Sequence, residues 1–514
     1  SYSQLQKRFM SDNASAALIQ SGHQLDEYSV LNALRSPKRL RTELFAGIAV
    51  ALALIPEAIS FSILAGVDPQ VGLFASFTMA VTIAIVGGRR AMISAATGAV
   101  ALVVAPVVTE HGLDYLIATV VLAGALQIAF SLAGAAKLMR FVPRSVMVGF
   151  VNALAIVIFM AQIPELVNVP TIVYPLVAIG LIILVFLPRL SRVVPAPLVV
   201  IVLLTITAVA MGLDVPTVGD QGELPDSLPS FFVPDVPFTF DTLKIIFPYA
   251  FAMAMVGLLE TLMTAKLVDD ITDTHSDKTR EGWGQGVANI VSGFLGGMGG
   301  CAMIGQTMIN VKTSGARTRI STFAAGVFLL ILVVGLGDVV ARIPMAALVA
   351  VMIMVSIGTM DWHSVHPRTL RQMPLSATTI MLTTVVVTVT THNLAYGVTS
   401  GVAVAMIFFA RRVAHFTEIV DIAHPDEKTR VYAVKGVLFF ASSNDLYTQF
   451  DYVNDPQNII IDLSQAQIYD SSTVAALDAI VLKYHNKGKH VEIVGLNEAS
   501  ARWHSLSGNL GAKH

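Results

Sequence analysis

The chain has 514 residues, 54% of them hydrophobic and 13% charged, with a mean hydropathy of +0.70. A soluble domain carries about 25% charged residues, so an ordinary soluble enzyme is excluded for most of this length. The net charge of -2 gives no global attraction to nucleic acid, and a lone cysteine, Cys301, excludes a disulfide scaffold or a Cys-rich metal site.

The opening residues SYSQLQKRFM lack the apolar core and small-residue cleavage site of a signal peptide. Met10 is read as the natural start, with residues 1–9 an appended remnant. Residues 1–42 have soluble composition and are expected to form a cytoplasmic N-terminal segment. Fourteen apolar runs follow, each long enough to span or half-span a bilayer. They lie near 43–66, 71–87, 91–109, 114–134, 146–163, 170–187, 196–212, 244–265, 283–300, 302–312, 320–336, 343–357, 375–391 and 394–411. The third, tenth and twelfth are short or broken by small residues.

Charge tests the count. With the N-terminus inside, seventeen basic residues fall on cytoplasmic connections and flanks, from Arg89 and Arg90 through Arg140 and Arg192 to Arg411 and Arg412. The outer connections hold only Lys244 and Arg342, and the long outer loop at 213–243 is acidic. An error of one span would destroy this positive-inside bias. The expectation is an all-α polytopic protein of the cell inner membrane, with fourteen transmembrane segments over 43–412 and both termini cytoplasmic. Two sets of seven must run inverted to one another, the usual construction of a secondary transporter.

After Arg412 the pattern changes. A tight hairpin is expected at 431–440 (VYAV-KG-VLFF), then strand NIIIDL, a helix from Ser471, strand HVEIVGL and helix NEASARWHSL. This alternation over 420–514 reads as a small α/β domain.

Two carboxyls inside spans are the leading functional candidates, since intramembrane charge is costly. Glu57 follows Pro56 in the first span, and Glu260 lies in the eighth with Thr264 one turn on. Glu260 and Thr264 could coordinate Na⁺, or the carboxyl alone could carry a proton; a packing carboxyl satisfied by amides is the plainer alternative. Spans three and ten open with small and hydroxyl residues, among them Ala96, Thr97 and Gly98, and Gly305, Gln306 and Thr307. Half-helices starting at mid-membrane would present unpaired N–H groups to an anion, or the small residues could simply permit close packing. His363 and His366 have no third ligand nearby, and no Walker, HExxH, Rossmann or nucleophile-elbow motif is present. The chain is not expected to be an enzyme.

The run IPEAISFSILAGVDPQVGLFASF, the segment GGRRAMISAATGAV, LLETLMTAKLVDDITDTHSDKTREGWGQGVANIVSGFLGG and the tail motif IIIDLSQAQIYDSSTVAAL together resemble the sulfate permease family, equivalent to solute carrier family 26. The resemblance runs from about residue 40 to the end, and the tail is similar to a STAS domain. It implies a seven-plus-seven inverted repeat with core and gate domains, a homodimer, and anion transport between helices three and ten. By position Glu57 falls on the family's site Gln, Phe61 on its site aromatic, Gln306 on the residue opening helix ten, and Thr307 where animal members have Arg. Ser471 falls on the serine phosphorylated in anti-sigma antagonists, beside a plainer reading as a helix N-cap.

The implied function is import of a small inorganic anion, bicarbonate or sulfate, by symport with Na⁺ or H⁺, without a cofactor unless Na⁺ is counted. An uncoupled exchanger or chloride-type channel, a proton-coupled dicarboxylate symporter, and a membrane scaffold acting through a cytoplasmic partner of the STAS domain stand as alternatives.

Overall fold

The computed structural model describes residues 28–138, 142–191, 196–414, 418–446 and 448–507. Residues 1–9, Arg140 and Arg192, which entered the sequence argument, lie outside them. The chain divides at Gly401/Val402, inside its last apolar helix, into two compact units.

Each of the fourteen expected segments contains a helix, numbered here α1 to α14. They are Pro37–Ala65, Pro69–Val86, Gly98–His111, Leu113–Leu132, Arg144–Gln162, Val173–Leu190, Ala196–Ala210, Phe240–Thr272, Lys278–Phe294, Ile304–Met308, Arg319–Gly335, Met345–Thr359, Leu375–Thr391 and Leu394–Ala414. Among the described residues, seven helices are long and apolar enough to cross a membrane, and five more, α3, α7, α11, α12 and α13, are apolar but shorter. Helix α9 is weakly apolar because KTREGWGQGVAN carries its first turns, and α10 is five residues continued by a π turn, Ile309–Thr313.

The helices pack in two groups. In the first, α4 packs on α9, α11 on both α1 and α2, and α8 on α4 and α3. In the second, α5 packs on α13 and α12, and α6 on α12 and α7. The main contacts between the groups are α12 and α7 against α1, and α3 against α5. Lipid supplies no hydrophobic drive between helices, so close contact relies on small residues. Gly124 of α4 and Gly286 of α9 illustrate it: a Cβ on either would stand 2.5 Å from the other's carbonyl oxygen.

Two two-residue strands, β1 (Ser94–Ala95) and β2 (Cys301–Ala302), pair antiparallel ahead of α3 and α10. They bring the starts of these short helices side by side, a long-range pairing that no local sequence pattern announces.

The second unit is a four-stranded sheet in the order β3-β4-β5-β6. Its strands are Glu418–Asp426, Thr429–Leu438, Asn458–Ile468 and His490–Val494, with helices α15 (Phe440–Leu446), α16 (Ser471–His485) and α17 (Glu498–Ser507). The first pair is antiparallel and the others parallel. The expected hairpin at Lys435-Gly436 is absent. These residues lie inside β4, where the register against β5 shifts between Ala433 and Lys435 and Gly436 adopts φ 111°. The glycine therefore serves a bulge, its other common use in strands, and the turn falls instead between Asp426 and Thr429. The core joins Val434, Ile459, Ile461 and Leu463 of the sheet to Val474, Leu477 and Ile480 of α16. Full burial of each such side chain contributes about 1.5–3 kcal/mol.

Candidate functional site

Glu57 and Glu260 each stand twenty residues after the first residue of their helix, counting from Pro37 and Phe240. Both line one cavity of about 390 Å³. One wall is built by α1 (Glu57, Phe61), the start of α3 (Thr97, Gly98), α8 (Glu260) and α10 (Gly305, Gln306); the other by α5 and α12, including Phe150, Leu154, Ile158 and Thr359. The cavity thus lies where the two helix groups meet. Its described lining contains two carboxyls and neither lysine nor arginine.

Cys301, carried by β2, donates its S–H to Glu260 Oε2 at 3.1 Å, and its sulfur stands 3.2 Å from Thr97 Oγ1. Thr97 also N-caps α3, accepting from the Val100 N–H at 3.3 Å. The Gln306 side chain interacts with the Glu57 carboxyl, while its Oε1 is buried without a partner. Gly98 permits the apolar closure of one side: a Cβ there would stand 2.9 Å from Phe61 Cε1 and 3.2 Å from Ile158 Cδ1. At Gly305 a Cβ would meet nothing within 4 Å. Its surroundings are open.

The structure therefore brings together Glu57, Phe61, Thr97, Gly98, Glu260, Gly305 and Gln306. Three other expected site residues do not line the cavity. The Thr264 hydroxyl donates to the Glu260 carbonyl oxygen at 2.7 Å. Thr307 accepts the Ile93 N–H at 3.0 Å, tying α10 to the chain before β1. Ala96 contributes its N–H to Ser76 Oγ at 3.2 Å. Helical threonines commonly turn the hydroxyl back to the preceding carbonyl, which spacing alone does not reveal.

A polar scaffold holds the two strands. Asn289 donates to Gln127 Oε1 and the Gly300 carbonyl and accepts the Gly300 N–H at 2.9 Å. Thr261 accepts the Ala302 N–H, and Gln285 donates to Ser94 Oγ and Glu281 Oε1. The signal was present in the polar spacing of GQGVAN on an otherwise apolar run. Toward the loops, Asp269 pairs with Arg89 and Lys278, and Glu43 with Arg39.

A chain this apolar, with an interrupted pair of short helices and a sheet unit after the last span, matches one known pattern across both parts. The pattern of the sulfate permease family covers residues 40–176 and 167–384, and that of the STAS domain residues 422–510. The chain belongs to the sulfate permease family. Among relatives of this permease, the putative sulfate transporter YbaR of Bacillus subtilis is 53% identical over 462 residues, covering 90% of this chain and 95% of its own. The solved transmembrane domain of a cyanobacterial bicarbonate transporter, BicA, is 26% identical with a TM-score of 0.63, covering 70% of this chain and 98% of that one. The murine solute carrier 26 member A9 anion transporter, solved in the inward-facing state, is 16% identical with a TM-score of 0.78 over 92% of this chain and 88% of its own, a likeness of fold. The permease is a polytopic membrane protein.

In the STAS domain the helix N-cap is Asp470, not Ser471. Asp470 Oδ1 accepts the Thr473 N–H at 3.1 Å and Oδ2 the Phe440 N–H. Ser471 is the first helical residue and is exposed, so its hydroxyl is left out of the cap because the carboxylate before it already fills that place. Deeper in the domain, Asp455 accepts from Arg430, from Tyr432 at 2.8 Å and from Tyr484. Burial and the adjacent carboxylate push the Tyr432 hydroxyl up to about 12 and raise Tyr484 too.

Proposed function

We propose that the protein is a secondary transporter that imports a small inorganic anion, bicarbonate or sulfate, across the cytoplasmic membrane together with Na⁺ or H⁺. The observation that carries this reading is the cavity between the two helix groups, lined by Glu57 and Glu260 without a basic side chain. Two ionised carboxylates oppose the entry of an anion, and that repulsion is strong where water is scarce. A proton or sodium ion taken up at one of them offsets it, so the anion enters with the cation. The donors for the anion are then the first N–H groups of α3 with the Thr97 hydroxyl, the N–H groups opening α10 and the Gln306 amide.

The helix contacts support a seven-plus-seven inverted repeat. Three pairs of contacts are related by a shift of seven helices: α4 on α9 matches α11 on α2, α8 on α4 matches α1 on α11, and α6 on α12 matches α13 on α5. The equal placement of Glu57 and Glu260 follows the same relation. The two helix groups serve as core and gate, whose relative movement exposes the cavity to each side in turn. Both termini are cytoplasmic, and the transporter works as a homodimer. Ser471, exposed at the start of α16, suits a regulatory phosphoryl group or a protein partner.

Uptake of labelled bicarbonate and sulfate into proteoliposomes, with Na⁺ and pH gradients imposed separately, tests the reading. Accumulation above equilibrium under one of the two gradients is expected. Flux indifferent to both would mark an exchanger or channel, and absence of flux a scaffold.

A further inference from the structure

The charge and hydrogen-bonding character of the cavity lining narrows the substrate class, an inference that rests on the transport reading above. We infer that the route is built for a singly charged oxyanion that carries its own O–H group, of the hydrogencarbonate type, and selects against a dianion such as sulfate.

The first observation is charge. The described lining of the main cavity holds two carboxyls and no lysine or arginine. Whatever positive charge enters with the anion, a second negative charge doubles the repulsion from each carboxylate that remains ionised. Uptake of one cation offsets a monoanion and leaves a dianion uncompensated.

The second observation is the orphaned acceptor. Gln306 is 2% exposed, and its Oε1 reaches no donor although the residue lines the cavity. A buried acceptor left without a donor is costly, and a ligand with an O–H satisfies it. Sulfate and nitrate have no hydrogen to give. Hydrogencarbonate has one.

The third is a second cavity of about 300 Å³, between the C-terminal half of α1, the end of α5 and the start of α12. It repeats the same chemistry. Ser60, one turn beyond Glu57 and 8% exposed, has a hydroxyl without a partner, and Gln162 and Glu165 complete its polar lining. Again there is a carboxyl, an amide and a hydroxyl, with no basic residue among the described lining. The packed trio of Phe61, Gly98 and Ile158 stands at the main cavity's wall between the same two helices, α1 and α5. The second cavity, set against the same two helices, offers an anion the same selection.

Competition against labelled bicarbonate uptake in proteoliposomes at neutral pH provides the test, with nitrate and sulfate as probes. Nitrate has the shape and charge of bicarbonate and lacks only the donor; sulfate differs in charge as well. Nitrate should compete about tenfold more weakly than unlabelled bicarbonate, the worth of one hydrogen bond to a neutral partner, and sulfate more weakly still. Gln306→Met should remove the difference between unlabelled bicarbonate and nitrate as competitors, whatever uptake it retains. Sulfate competing as well as bicarbonate would overturn the inference and leave the transport reading standing, and equal competition by nitrate in the native protein would do the same. Uptake of none of the three would overturn the transport reading and this inference with it.

Discussion

In the STAS unit the Asp455 side chain is wholly buried, and its oxygens are met by a guanidinium and two phenols. In the membrane unit Glu260 is almost as buried, yet its recorded side-chain partner is a thiol, a weak donor. The loop-side carboxylates of that same unit follow the STAS pattern: Asp269 has Arg89 and Lys278, and Glu43 has Arg39 and the main-chain N–H of Arg317. A carboxylate kept for structure is surrounded by donors that hold its charge. On the proposed reading, a carboxylate kept for work is left under-satisfied, facing a space where a cation and an anion can arrive.

The sharpest way to break this contrast is to remove each acid. Asp455→Ala should strand the Arg430 charge and two phenols, costing roughly 3–5 kcal/mol. Hydrogen exchange on the full chain should then show early opening of β5 and α16. Glu260→Gln keeps the shape and should change stability by less than about 1.5 kcal/mol, yet gradient-driven uptake should be lost. If the two substitutions exchanged these phenotypes, the distinction between holding and working carboxyls would fail.

A second pair of substitutions separates space from charge. Gly305→Leu projects into open surroundings, so uptake should be lost while the melting temperature stays within a few degrees, since leucine is welcome in a span. Gly98→Leu should lose both uptake and stability, by about 1–3 kcal/mol from overpacking against Phe61 and Ile158. Equal thermal loss in both would mean that the cavity is not an open one.

Much of this organisation is legible in the sequence. Apolar runs marked where helices lie, most plainly the seven that are long enough to cross a membrane, because burial in lipid writes itself into composition over eighteen or more residues. Glu57 and Glu260 were visible for the same reason, as polar interruptions of those runs. What stayed hidden depends on partners far along the chain or on the direction of a small side chain. The β1–β2 pair is two residues long and has no period to detect. Thr264 and Thr307 had the right spacing for a site, and their hydroxyls turn to main-chain groups instead. Lys435-Gly436 carried a turn signature that the parallel pairing with β5 converted to a bulge. The contact between Asn289 and Gly300 depends on a reversal of the chain that the run GQGVAN does not announce.

The smallest expected effect concerns pH. Tyr432 holds its proton up to about 12 in the folded STAS unit, above the ordinary value near 10. Its contribution to stability is complete below the ordinary value and is lost as pH rises toward about 12. Near-ultraviolet titration of the full chain against Tyr432→Phe should lose one late-titrating phenol. A difference spectrum titrating near the ordinary value would contradict the Asp455 cluster as drawn.

The most direct test of the central claim is accumulation of labelled bicarbonate in proteoliposomes bearing Glu260→Gln, driven first by a cation gradient and then by exchange against internal unlabelled anion. Loss of gradient-driven accumulation with exchange retained is the expected result. Accumulation equal to that of the native protein would contradict it, because the buried carboxyl would then not be what joins the cation to the anion.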